Sequence, residues 1–127
     1  MIEKLHTSYK NKAHIYVLYI REAHPTDGWA LPKNTFVIPD PKSIEERQKV
    51  ARVFASQLKV TIPILVDTID DQVEKSYSSW PDRIYVIDTD GKIALKAAPG
   101  PGGFRPSVEA TPSVLDKLLK NSAKQDK

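Results

Sequence analysis

Ile15-Tyr-Val-Leu-Tyr-Ile20, followed at once by Arg21-Glu-Ala-His-Pro-Thr-Asp-Gly-Trp29, decides the fold. The first six residues are continuously apolar and rich in β-branched side chains, the pattern of a strand covered on both faces. The next nine put an acid, an imidazole and an indole at the end of that strand, where open α/β sheets keep their binding crevices. Any chemistry is therefore expected here. The chain contains no cysteine, so a thiol nucleophile is not among its 127 residues.

Upstream, Met1 to Lys12 carries apolar residues at 1, 2, 5 and 9, a helical spacing that opens without a capping residue and reads as the back half of a helix. Downstream, residues 21 to 42 form a long connection with prolines at 25, 32, 39 and 41, and loops of that length inside compact domains are usually functional. Ser43-Ile-Glu-Glu46 is a capping box that starts a helix running to about Lys59, with Ile44, Val50, Val53, Phe54 and Leu58 as its expected buried stripe. Pro63 to Asp67 reads as a second buried strand and Asp70 to Ser78 as a brief acidic helix. Arg83 to Asp88 and Lys92 to Lys96 then read as a hairpin closed at Asp90-Gly91. After the Pro99-Gly-Pro-Gly-Gly103 loop, a last helix is expected from about Pro112 to Lys120. This order specifies an α/β mixed sheet with helices on both faces. One domain over residues 1–122 is expected, with 123–127 a frayed tail.

Hydrophobic residues at 40% and charged residues at 28% describe an ordinary soluble domain. No run approaches the roughly 18 apolar residues of a membrane span, so no membrane association is expected, and the N-terminus lacks a secretory pattern. With no address in the chain, the cytoplasm is the default location. The net charge of +3 comes with scattered lysines rather than clustered arginines and aromatics, so nucleic acid is not an expected partner. Asp67, Asp70, Asp71, Asp88 and Asp90 occupy separate strand ends and turns, where aspartate serves backbone hydrogen bonding, and no metal is expected. The 99–103 loop lacks the Lys-Ser/Thr of a phosphate cradle, and no cofactor is expected.

The stretch Tyr19-Ile-Arg-Glu-Ala-His-Pro-Thr-Asp-Gly-Trp29, the distal Trp80-Pro-Asp-Arg-Ile-Tyr-Val-Ile-Asp88, the Gly91-Lys-Ile93 hairpin and the Gly100-Pro-Gly-Gly-Phe104 loop together resemble the iodothyronine deiodinase family. The similarity runs from about residue 2 to residue 120. It implies a thioredoxin-like fold and reductive oxidoreductase chemistry at a selenol or thiol. It further implies that the central strand and the selenocysteine or cysteine after it precede Met1, as expected if an upstream UGA selenocysteine codon was taken as a stop. On that expectation the isolated chain is inactive, and its two exposed strand ladders either re-pair directly or self-associate, a homodimer being one outcome. Tyr19, Glu22 and His24 match positions the family uses for a proton relay and for holding substrate. Pro81 matches a proline held in cis facing the nucleophile, and Asp82 an acidic residue near the ligand. Pro99 stands where the hormone-processing enzymes have a carboxylate-clamping arginine, and Pro41 where they have a loop histidine. Thyroid hormone is therefore not implied as the substrate; a small aromatic or halogenated compound, with a thiol reductant, is.

The residues themselves leave plainer readings open. A lone His24 before proline is a turn residue by default, and Glu22 is a solvated carboxylate unless its position two residues from His24, on one side of an extended chain, pairs them. Tyr19 reads as a core aromatic whose hydroxyl finds a partner. Trp29 and Trp80 pin a proline-rich loop, or wall an aromatic pocket. Two other functions compete with dehalogenation: a non-catalytic binding module that keeps the crevice, and a peroxiredoxin-like peroxide or disulfide reductase.

Overall fold

A computed structural model describes residues 1–23 and 39–125. Its elements are α1 (Ile2–Tyr9), β1 (Val17–Tyr19), α2 (Ile44–Gln57), β2 (Ile64–Val66), α3 (Gln72–Tyr77), β3 (Tyr85–Ile87), β4 (Ile93–Lys96) and α4 (Phe104–Gln125). The described residues form a mixed α/β arrangement with two two-stranded sheets, β1 paired with β2 and β3 with β4. Among the described residues, β1 pairs with β2 alone and β3 with β4 alone. The elements fall into two compact units, residues 15–81 and residues 1–14 with 82–127.

In the 15–81 unit, β1 and β2 run parallel with Val17 opposite Ile64, Leu18 opposite Leu65 and Tyr19 opposite Val66. Both strands are shorter than their apolar runs, and they are not covered on both faces. Tyr16 is 55% exposed and Leu65 50% exposed, while the Tyr19 ring, one step along the pleat from Leu18, packs against Phe54 of α2 at 5.8 Å. Helix α2 packs on β2. Its start follows the expected box with one change. Ser43 Oγ accepts from the Glu46 amide at 3.2 Å, but the Glu46 carboxylate accepts from the amide of Lys42, at 2.7 Å, rather than that of Ser43.

The expected stripe of α2 is corrected. Val53 and Leu58 are exposed, and the residues wholly inside are Ala51 and Arg47. Positions 44, 47, 51 and 54 form one face at helical spacing, so the helix is rotated toward Arg47. A charged residue occupies the inner face because its guanidinium finds the strand-end carbonyl oxygens described below.

In the other unit, β3 and β4 form an antiparallel hairpin with Val86 opposite Leu95, Ile87 opposite Ile93 and an irregularity between Val86 and Ile87. Gly91, at φ 82°, supplies the left-handed step, its amide donating to Asp88 O, and the Lys92 amide donates to Asp90 Oδ1. Helix α4 packs on both strands and on α1. The Tyr9 hydroxyl fastens α1 to it, donating to Asp116 Oδ1 at 2.7 Å and to Pro112 O at 3.3 Å.

Helix α4 begins at Phe104, eight residues before the expected start, and Pro112 lies inside it. Pro106 falls in the first turn, where its missing N–H has no intrahelical partner to lose. Pro112 does remove an interior bond, the one its missing N–H would make to Val108 O, and the hydroxyls of Ser107, Thr111 and Ser113 donate to Gly103 O, Ser107 O and Ala110 O without replacing it. Packing of Val108 and Thr111, both buried, holds the stretch helical. No described helix is long and apolar enough to cross a membrane.

Candidate functional site

Because β1 and β2 are parallel, the chain leaves both at the same end, and the Asp67 amide donates to Tyr19 O at 2.9 Å across that end. Residues 19–22 and 67–74 are thereby brought together at the carboxyl end of a parallel pair.

Asp67 organises this end. It is 1% exposed, and its carboxylate accepts three backbone amides: Thr68 at 2.8 Å, Val73 at 3.0 Å and Glu74 at 2.9 Å. Two of these are first-turn amides of α3, whose own N-cap, Asp71, makes no side-chain capping bond. Asp71 instead sits in the left-handed region, φ 59°, with its carboxylate 2.8 Å from Arg47 Nη2. Arg47, 2% exposed, also donates from Nη1 to Thr68 O at 2.6 Å and, at the limit of hydrogen bonding, to Asp67 O at 3.5 Å. Its Nε is buried with no hydrogen-bond partner among the described residues.

Of the residues singled out in the sequence, Tyr19, Glu22 and Trp80 belong to this unit. Tyr19 is half-buried against Phe54, and its hydroxyl finds no partner among the described residues, contrary to the expectation for a core tyrosine. Glu22 is half-buried. Burial pushes its carboxyl above the usual glutamate range, the negative charge of Asp40 adds to the effect, and the positive charge of Arg47 opposes it. Trp80 lies under the Arg21 guanidinium, 4.7 Å from the ring centroid, and Arg21 Nε pairs with Glu74 at 3.3 Å. The Trp80–Pro81 peptide bond is cis, as the resemblance implies.

Asp82 opens the other unit. Burial raises its carboxyl above the usual range, with the Gly100 backbone amide opposing. Gly100 comes so close to the Asp82 carboxylate that a Cβ there would run into Asp82 Oδ1. At Gly103 an added Cβ would lie 2.6 Å from Pro99 O, to which the Gly103 amide donates at 3.2 Å. His24 and Trp29 lie outside the described residues, so the pairing of Glu22 with His24 is not placed. Among the described residues, a depression of about 330 Å³ is lined by Pro39, Pro41, Glu46, Lys49, Val50 and Val53, and not by Tyr19, Glu22, Trp80, Pro81 or Asp82.

The profile of the family described as Iodothyronine deiodinase matches residues 1–118. The chain belongs to the iodothyronine deiodinase family. It is 33% identical to the thyroxine 5-deiodinase of Rattus norvegicus over 105 residues, which are 83% of this chain and 34% of that protein. To the thyroxine 5-deiodinase of Homo sapiens it is 32% identical over the same shares, and to that of Bos taurus 31% over 109 residues, 86% of this chain and 36% of the relative. The chain spans about a third of the length of these curated relatives.

Within this deiodinase-family chain, sequence reasoning missed Arg47, Arg21, Glu74 and Asp40. Arg47 carried one signal: a cation three residues after Ile44 and four before Ala51, in the middle of the apolar face. Arg21 and Glu74 carried none, since their pairing depends on the parallel register of β1 and β2.

Proposed function

We propose that this chain forms the proton-handling and substrate-facing part of a deiodinase-like reductive dehalogenation site on a thioredoxin-like scaffold. In the reaction, a selenolate or thiolate takes the halogen as a selenenyl or sulfenyl halide, the aryl carbon takes a proton, and a second thiol attacks the selenium or sulfur, releasing halide and a proton and leaving a selenosulfide or a disulfide. Glu22 supplies the proton, with Tyr19 and His24 relaying it or holding the substrate; the family resemblance assigns ring binding to Trp80, Pro81, Asp82 and Trp29. The soft nucleophile comes from outside these residues, which hold no cysteine. The observation that carries the reading is the half-buried Glu22 carboxyl, held in its protonated form to higher pH than a free glutamate. It stands at the carboxyl end of the parallel pair, three residues past a tyrosine whose hydroxyl is unpartnered among the described residues. A carboxyl tuned upward toward the working pH is what general acid catalysis requires. The parallel pair, the hairpin and the family membership support the thioredoxin-like scaffold.

The test extends the chain at its N-terminus with a strand and a cysteine taken from a family member. The extended protein is expected to release iodide from an iodinated phenol with a dithiol. Glu22→Gln and His24→Ala are expected to reduce that release by about 10²-fold or more. Equal release by wild type and both variants overturns the reading. The absence of cysteine favours one rival, a non-catalytic module that binds small aromatic compounds in the same crevice. It predicts ligand-dependent shifts of the Trp80 and Tyr19 resonances with no iodide release even from the extended protein.

A further inference from the structure

Arg47 is the most completely buried cation among the described residues, and three of its contacts have a structural use: the Asp71 carboxylate and the carbonyl oxygens of Asp67 and Thr68. These anchors would serve equally well for a guanidinium with nothing further to do. The Nε–H does not fit that account. It is buried and meets no acceptor among the described residues, a state that costs more for a charged group than for a neutral one. Its location follows from the strand register. Arg47 is bonded to the first two residues after β2, and the Asp67 amide is bonded to Tyr19 at the end of β1, so the guanidinium stands where the chain carrying Glu22 emerges.

We propose that Arg47 is a positioning residue for Glu22: a buried, fixed positive charge whose Nε–H is held ready for the carboxylate that forms when Glu22 gives up its proton. The inference rests on the reading of Glu22 as the proton donor and extends it to the residue that stabilises the donor's conjugate base. The proton passes from the Glu22 carboxyl to the acceptor, no bond to Arg47 forms or breaks, and the negative charge left on Glu22 is met by a charge already in place. Preorganised charge of this kind needs no reorganisation when the proton moves. An arginine suits the task, because it stays protonated when buried where a lysine would not.

The charged groups acting on Glu22 are Asp40, which favours its protonated form, and Arg47, which favours its ionised form. Arg21, next to it in the chain, is engaged by Glu74 and the Trp80 ring. The balance has a sign that can be measured. Removing the Arg47 charge raises the Glu22 midpoint, and removing the Asp40 charge lowers it.

The experiment is a carboxyl-carbon and arginine Nε–H nuclear magnetic resonance titration of the whole chain. In the wild-type protein the Arg47 Nε–H resonance is expected to shift with the Glu22 midpoint, and in Glu22→Gln that step is expected to vanish. Arg47→Gln is expected to raise the Glu22 midpoint beyond titration error, with Arg47→Lys falling between it and wild type. An Nε–H signal that ignores Glu22 in the wild type overturns the inference without recourse to any variant, as does an unmoved Glu22 midpoint in folded Arg47→Gln. The functional reading fails separately, through iodide release that is indifferent to Glu22→Gln.

Discussion

Asp67 shows how much one carboxylate can hold when it is buried with its donors. Its three backbone amides include the Val73 and Glu74 N–H groups that α3 leaves open, and no other side chain among the described residues caps them. Asp67→Ala strands these donors and is expected to cost roughly 3 kcal/mol, since hydrogen bonds to a charged acceptor are worth about 1.5–3 kcal/mol each and water recovers part of the loss. Denaturant melts measure the total. Amide exchange locates it, with protection lost first at Val73 and Glu74 and retained in α2; an exchange pattern unchanged in α3 would refute the capping role. The sequence marks Asp67 as an aspartate that serves backbone hydrogen bonding, and its three amide partners agree. It did not identify which backbone, because the amides concerned lie six and seven residues on and meet the carboxylate only once the chain has turned into α3. The same limit applied to Arg47, whose acceptors are 20 and 21 residues away and exist as a pair only at the end of β2.

Among the elements, those encoded by local pattern were legible and those set by tertiary packing were not. The Ser43 box began α2 where expected, and Ser43→Ala should cost about 1 kcal/mol, measurable as a shifted denaturation midpoint at unchanged slope. The Asp90-Gly91 turn likewise closed β3 on β4. Proline at 112 is a helix-start signal in isolation, whereas α4 starts at Phe104 and, packed on α1, β3 and β4, runs through Pro112. The 99–103 loop lacks the Lys-Ser/Thr of a phosphate cradle, and two of its glycines, Gly100 and Gly103, allow close approach of the chain. Gly100→Ala would place a methyl group on the Asp82 carboxylate, the end of a side chain able to swing away, so the expected stability cost is modest, about 1 kcal/mol. The informative effect is on titration: driven out of its niche toward water, Asp82 should ionise at lower pH than in the wild-type chain. An Asp82 midpoint equal in both proteins would show that Gly100 does not set its environment.

For the whole molecule, the site carboxyls work against stability at neutral pH. Glu22 and Asp82 both have folded-state values raised, each chiefly by burial, so the folded chain holds their protons more tightly than the unfolded chain does. Their stabilising contribution is fully present below the ordinary carboxyl range and is lost as pH rises through the raised midpoints. Asp70 has the opposite sign. Hydrogen bonds from Thr68 first and Gln72 second hold it below its ordinary value, so its contribution is present above that value and fades as pH falls through the lowered one. The two effects are separable by substitution. Glu22→Gln removes the cost of burying a charge at pH 7 but gains nothing at pH 4, where the wild-type residue is already largely neutral. The difference in melting temperature, variant minus wild type, is therefore expected to become more positive between pH 4 and pH 7. A difference that stays flat over that range would mean that Glu22 is not destabilised as a carboxylate in the fold, and the general-acid reading would lose its physical basis. A difference that grows would show the chain giving up stability at neutral pH to keep a proton on Glu22, as sites that store reactivity in buried ionisable groups do.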